Sequence, residues 1–385
     1  MNPHDHYKSW VTIDPAVLRQ NLALIRTRIG PGREIVLVVK SDGYGHGAVA
    51  IARAASEASV RRFAVVSVSE ALTLRHGGIE GDIVLLHPPF PSEMSDVLRW
   101  NLSPTVSSPE VMAQYTQSGG SAVLPVQVEI NTGLSRLGLD WEEAAAQIAQ
   151  FVRSPHVKLA GLYTHFRAAW SQSGSSVEVQ MQRFTHVLDA LTQRGIDPGF
   201  RHAASSLAVL HHAESFLDGV RVGMIAYGGM AIPDGDPLAG IAPVMSAHTH
   251  VLMVRTVPAG EWVHYGDVFQ ATRGLRIAVL PVGYGMGYPR HLSNKGMVLI
   301  HGARCPIVGV VGMDLTMVDV TCVPNAKTGD IATLIGRHGD GAISAAELAE
   351  LAGTIPYEVT CRLGSGLPRV PVTGSTALVP TPVQA

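Results

Sequence analysis

Between residues 34 and 222 the chain carries short runs of Val, Ile, Leu and Phe that do not alternate with polar residues. They fall at 35–39, 63–68, 83–86, 103–106, 126–130, 159–163, 200–203 and 220–222. Strands that lack alternation bury both faces, as in a parallel sheet whose crossover helices cover each side. Stretches long enough for helices separate the runs, among them 48–58, 141–152 and 177–194. Eight strand–helix units in about 200 residues fit a closed (β/α)8 barrel of the TIM type better than an open doubly wound sheet.

Past Pro237 the texture changes. Segments 248–256, 275–281, 297–300, 307–311, 317–320 and 331–336 are short, β-rich and punctuated by Gly or Pro, which reads as a mostly-β domain. One helix, 344–352, interrupts it, with Ser344 and Glu347 in capping-box register. The expected division is a barrel over 10–238, a β domain over 239–375 and a frayed tail over 376–385. A strand at 8–14 is expected to join the second domain.

Composition narrows the partners. Apolar residues make up 46% of the chain and charged ones 16%, enough core to exclude disorder. The 29 bases and 31 acids leave a net charge of −2 without a run of either sign, so neither nucleic acid nor a membrane surface is an expected partner. A small molecule is. Cys305, Cys322 and Cys361 are widely spaced and form no Cys-x-x-Cys pair, so neither a disulfide scaffold nor a metal site is expected. Residues 1–10 hold no apolar signal core, and no spanning segment of about 18 apolar residues follows, so the expected location is cytoplasmic.

In a barrel, chemistry collects where strands end on the carboxyl face. Lys40 ends the first strand and opens Lys40-Ser41-Asp42-Gly43-Tyr44-Gly45-His46-Gly47. Desolvation at such a place favours the neutral amine that forms Schiff bases, although a lysine reaching out to water has the same local sequence. Arg136 follows the fifth strand, His165 ends the sixth, Ser205 and Ser206 follow the seventh, and Arg221 and Gly223 end the eighth. Singly, His165 also reads as a core histidine and the serines as a helix cap. Their joint placement on successive strand ends is what points to a site. Hydroxyls and amides after strands seven and eight are where barrels hold phosphate. An imine-forming lysine, a phosphate cradle and an arginine together fit pyridoxal 5'-phosphate.

The chain resembles the bacterial alanine racemases, pyridoxal-phosphate enzymes of fold type III. The resemblance rests on Val38-Val39-Lys40 through Gly47, Thr164-His165-Phe166, Val220-Arg221-Val222-Gly223 and Val263-His264-Tyr265-Gly266. It continues through Pro281-Val282-Gly283-Tyr284, Tyr288-Pro289-Arg290, Gly312-Met313-Asp314 and the segment from Ala346 to Glu358. It implies an amino-acid racemase, alanine first, in which Lys40 carries the cofactor as a Schiff base. Lys40 and Tyr265 would be bases on opposite faces of the substrate, the tyrosine coming from the partner subunit of a homodimer with shared active sites. A free tyrosine titrates near pH 10, so such a base needs cationic or hydrogen-bonding neighbours.

By the same resemblance Arg221 would face the ring nitrogen. Tyr44, Ser206, Gly223, Met224 and Tyr357 would hold the phosphate, with Ser205 where asparagine is usual. His165 would complete the cofactor-binding group and stand behind the tyrosine. Arg136 and the N–H of Met313 would receive the substrate carboxylate, with Glu129, Arg290 and Asp314 behind them. Glu129 stands where the family commonly has a carbamylated lysine, and Asn131 where aspartate is frequent. Trp170, Val310, Gly312 and Leu315 replace more polar groups around the entrance, so a preference for serine or a larger amino acid is the alternative. A decarboxylase on this architecture is disfavoured by Arg221 and Gly312, and a cofactor-binding protein without activity by the β domain.

Overall fold

The computed structural model describes residues 6–118, 123–170, 175–233 and 235–372. Eight parallel strands close on themselves by hydrogen bonds: Glu34–Val38, Arg62–Val65, Asp82–Leu85, Ser103–Val106, Leu124–Asn131, Val157–Tyr163, Phe200–Ser205 and Gly219–Val222. The eighth pairs with both the seventh and the first, and the fourth pairs with the fifth, so no edge is left open. The runs 103–106 and 200–203, weakest of the eight in aliphatic content, both form strands. Fully buried residues such as Leu37, Phe63, Leu85, Val106, Val128 and Leu162 fill the barrel and its helix contacts. Burying each contributes about 1.5–3 kcal/mol, which is why the polar strand ends are exceptions in need of a reason.

The second strand stops at Val65 rather than running to 68. Ser67 explains this: its hydroxyl accepts from the Glu70 amide at 3.2 Å and caps the helix Val68–His76.

Beyond the barrel lie a seven-stranded sheet and a three-stranded sheet. Strand Ser9–Ile13 lies in the larger one, antiparallel to Met245–His250 and parallel to Arg369–Pro371. The expected strand 248–256 is two strands, because the chain changes sheets between them. Val251 donates to the Asp330 carbonyl, whereas Leu252 donates to that of Val279. The expected strand at 307–311 is irregular instead. The amides of Gly309 and Val311 donate to the side chains of Asn294 at 2.6 Å and Ser293 at 2.9 Å, so they build no ladder. Gly309 has a φ of +82°, a conformation that glycine adopts without strain.

The helix Ala345–Ala352 is capped by the Ser344 hydroxyl, which accepts from the Glu347 amide at 3.0 Å. A second helix, Pro356–Gly366, was not expected. Pro at its first turn is preorganised for helix entry, and one face packs back onto the barrel. The residues 376–385, expected to fray, lie outside the described residues. Among those described, no helix is long and apolar enough to cross a membrane, and no group of three His, Cys, Asp or Glu is placed to hold a metal ion.

Candidate active site

At the carboxyl ends of the barrel strands lies a cleft of about 360 Å³. Lys40 enters it two residues past the end of the first strand, Glu34–Val38. The next four residues, Ser41, Asp42, Gly43 and Tyr44, all have φ between 51° and 63°, a single left-handed turn. Each non-glycine residue there costs roughly 1–2 kcal/mol, so its surroundings must hold the turn in place. The Asp42 carboxylate accepts from the Ala48 amide at 2.7 Å, and Glu70 accepts from the Ser41 and Val66 amides at 2.7 and 2.9 Å. From the far domain, Arg369 donates to the Gly45 carbonyl at 3.1 Å and pairs with Asp42.

Glycines let the two domains meet here. A Cβ on Gly45 would lie 2.3 Å from the Thr360 carbonyl oxygen, and one on Gly364 would lie 2.0 Å from that of Gly45. This close approach seats the helix Pro356–Gly366 on the turn and brings the Tyr357 ring to 5.6 Å from that of Tyr44. Burial raises both phenol pKa values, so both hydroxyls stay protonated donors. Burial also lowers the pKa of the Lys40 amine, helped by Arg136 and Arg221 and opposed by Glu70 and Cys361. The neutral amine is favoured accordingly.

On the cleft's other wall Ser206 accepts from the Gly223 amide at 3.0 Å and the Ile225 amide at 3.4 Å. A Cβ on Gly223 would lie 2.7 Å from the Tyr44 hydroxyl. Ser205 occupies the cap position of helix Ser206–His211 without a side-chain cap bond and lines the cleft with Ser206, Gly223 and Met224.

Arg221 is only 4% exposed and is clamped on three sides. It donates to Nδ1 of His202 at 2.7 Å, to Nδ1 of His165 at 3.0 Å and to the Thr164 carbonyl at 2.9 Å, with its guanidinium 4.9 Å from the centre of the Tyr163 ring. An arginine has no acceptor to offer, so both histidines must present bare Nδ1 atoms and carry their protons on Nε2. Burial, with Arg221 adding to it, drives His165 down to about 3 and His202 well below its ordinary value. Both are neutral.

Glu129 is buried and accepts from the Tyr163 hydroxyl at 3.3 Å. Its other oxygen stands 4.0 Å from the Arg136 guanidinium, at the outer limit of an ion pair. Burial raises its carboxyl pKa, against the pull of Arg221 and Arg136. The Asn131 side-chain Oδ1 accepts from the Gly133 and Ser135 amides at 3.2 and 3.0 Å and thereby shapes the loop that carries Arg136.

Lys40, Tyr44, Glu129, Arg136, His165 and Arg221 therefore share one cleft, together with Ser205, Ser206, Gly223, Met224 and Tyr357. Tyr265, Arg290, Met313 and Asp314 do not line it. They are exposed residues of the β domain, Tyr265 at 72% and Met313 at 61%.

A family model described as alanine racemase, N-terminal domain, matches residues 13–231. One described as alanine racemase, C-terminal domain, matches 244–371. The chain belongs to the alanine racemase family. The alanine racemase of Desulforamulus reducens is 38% identical over 94% of this chain and 98% of its own length. That of Nostoc sp. is 34% identical over 95% and 96%. Among solved structures, alanine racemase from Bacillus anthracis with bound L-Ala-P matches with a TM-score of 0.89 and 31% identity, covering 98% of each chain. For alanine racemase from a D-cycloserine-producing Streptomyces lavendulae the TM-score is 0.87, at 33% identity, over 96% of this chain and 98% of that one.

Reasoning from sequence passed over Tyr163, which lines this alanine racemase-family cleft, and His202, which holds Arg221 from behind it. They are register partners on adjacent strands, with rings stacked 5.0 Å apart. A signal was present: a histidine inside the buried run 200–203 needs a partner for each ring nitrogen.

Proposed function

We propose that the chain is a pyridoxal-phosphate-dependent amino-acid racemase that interconverts L- and D-alanine as a homodimer with shared active sites. The observation that carries this reading is a lysine held towards its neutral amine beside a fully clamped, buried arginine in a single cleft of a chain of this family. The cradle suits the cofactor's phosphate. It offers the hydroxyls of Tyr44, Ser206 and Tyr357, with Ser206 held by the Gly223 and Ile225 amides and with Gly223 and Met224 beside them, at a place where any side chain on residue 223 would intrude. The volume suits a cofactor and a small substrate.

Lys40 would carry the cofactor, the cradle would hold its phosphate, and Arg221 would face its ring nitrogen. When bound, the cofactor acidifies the substrate's Cα–H by conjugation. The residues of the chain do the rest. Arg221 cannot give up a proton and is fixed by three acceptors, so the nitrogen it faces stays unprotonated and proton exchange is favoured over other reactions. Lys40, kept basic but neutral by burial, takes or returns the Cα proton on one face. Tyr265 of the partner subunit serves the opposite face; its exposure on the β domain, outside the cleft of its own chain, supports a role in another copy's site. Arg136 receives the substrate carboxylate by charge-assisted hydrogen bonds, with Glu129 behind it.

A wider substrate range is the second reading. Its support is Trp170, which lines the cleft and is 65% exposed, so it offers apolar surface at the mouth to a larger side chain. The experiment is α-deuterium uptake from D2O by L- and D-amino acids on the cofactor-loaded protein. Uptake with racemic product from both alanine enantiomers is expected. Faster uptake by serine or bulkier amino acids would move the substrate, and a bound cofactor without any exchange would overturn the enzyme.

A further inference from the structure

Tyr265 leans on one neighbour. His264 has a φ of +65°, rare for a residue with a side chain, and its Nδ1 accepts from the Tyr265 amide at 2.8 Å. The two rings lie 4.3 Å apart, edge to face at 63°. Because Nδ1 accepts, the proton sits on Nε2, and that atom is buried without a hydrogen-bond partner.

Missing side chains make room for this ring. A Cβ on Gly312 would stand 3.0 Å from Nε2 and 3.2 Å from Cε1 of His264, and 2.9 Å from the Leu315 carbonyl oxygen. A Cβ on Gly309 would stand 3.3 Å from the Cβ of His264 and 2.6 Å from the Val263 carbonyl oxygen. Val263 itself is buried in a small separate core with Val257, Leu275, Ile277 and Val308. The same platform is tied to the loop before Met313: the amides of Tyr284 and Gly285 donate to the carbonyls of Gly312 and Met313 at 3.0 and 2.8 Å. Burial lowers the imidazole pKa against the pull of Asp314, which keeps Nδ1 bare.

We infer that His264, wedged into the space left by Gly312 and Gly309, is a positioning residue that fixes the backbone and ring of Tyr265 for proton transfer. The inference rests on the reading of Tyr265 as the second base. It makes His264 and Gly312 a matched pair, because a side chain at residue 312 would meet the imidazole.

The test follows α-deuterium uptake by L-alanine and D-alanine separately on the cofactor-loaded protein. Tyr265→Phe first identifies the enantiomer whose proton the tyrosine handles. His264→Ala should then slow uptake by that same enantiomer about tenfold to hundredfold, and leave the other within about threefold, because only one base is displaced. His264→Asn keeps an acceptor in the Nδ1 position and tolerates the left-handed backbone, so it should recover to within about threefold of the parent protein. Gly312→Ala, which pushes the ring, should reproduce the one-sided loss. Hydrogen exchange at the Tyr265 amide gives a readout apart from activity, slow in the parent and His264→Asn and fast in His264→Ala. Equal slowing of both enantiomers, no slowing, or an Asn variant as impaired as Ala would overturn the inference. A Tyr265→Phe variant that slows both enantiomers alike would instead overturn the reading of Tyr265 itself.

Discussion

Two buried histidines, His46 and His202, and the half-buried His165 should make the fold acid-sensitive well above the pH at which carboxylates protonate. His46 is 1% exposed, its Nδ1 donates to the Gly43 and Tyr44 carbonyls at 3.0 Å each, and burial pushes its pKa down to about 4. His165 is pushed down to about 3, and His202 well below its ordinary value. In the unfolded chain each titrates near 6.5. A folded pKa below the unfolded one means that the unfolded state takes up protons first. The associated stability is therefore complete above about pH 6.5 and is lost as the pH falls towards 3 or 4. Between about pH 7 and pH 5 each group contributes a loss of about 2 kcal/mol, so three together withdraw roughly 5–6 kcal/mol, much of an ordinary domain's stability. Urea unfolding of the protein at fixed concentration and ionic strength across that range measures it. His46→Gln, which keeps a donor but cannot titrate, should remove about 2 kcal/mol of the pH dependence whatever it does to stability at neutral pH. A total loss under about 1 kcal/mol, or an unchanged slope in His46→Gln, would refute the argument.

Gly45→Ala places a methyl 2.3 Å from the Thr360 carbonyl at a φ of +83°. It should cost roughly 2–4 kcal/mol by urea unfolding and loosen cofactor retention measured by dialysis, since Tyr357 moves with the helix. Arg221→Leu orphans the buried His202 nitrogen and Thr164 carbonyl and the half-buried His165 nitrogen; a loss of roughly 3–5 kcal/mol is expected in the same assay. Glu129→Gln removes a charge 4.0 Å from Arg136. Because that arginine is over half exposed and its charge screened, steady-state kinetics should show KM for the amino acid rising by roughly threefold to tenfold with kcat little changed.

The eight barrel strands were legible because burial on both faces erases alternation, and even the weak runs 103–106 and 200–203 form strands. Their ends carried Lys40, Arg136, His165 and Arg221 to one mouth, so strand order alone located most of the cleft. What escaped depends on closure in space. Tyr163 and His202 meet Arg221 only because the eighth strand returns beside the seventh and the first. The helix Pro356–Gly366 carries the β-branched pair Val359-Thr360 and ends in Gly364-Ser365-Gly366, so its local propensity is weak and docking on the Lys40 turn decides its helicity. The irregular stretch at 307–311 looks like a strand by its valines, yet its amides go to Ser293 and Asn294, side chains that periodicity does not weigh.

The left-handed turn after Lys40 also has a consequence for timing. Its outer wall is built by Thr360, Gly364 and Arg369, more than three hundred positions downstream. During synthesis the barrel strands leave the ribosome long before the residues that brace the turn. A nascent barrel therefore holds Lys40 on a turn braced only by Glu70 and Ala48, without Tyr357 and without the clamp on Asp42. The turn gains its full bracing only when the helix Pro356–Gly366 and Arg369 arrive, so the last part of the cleft wall closes late in synthesis.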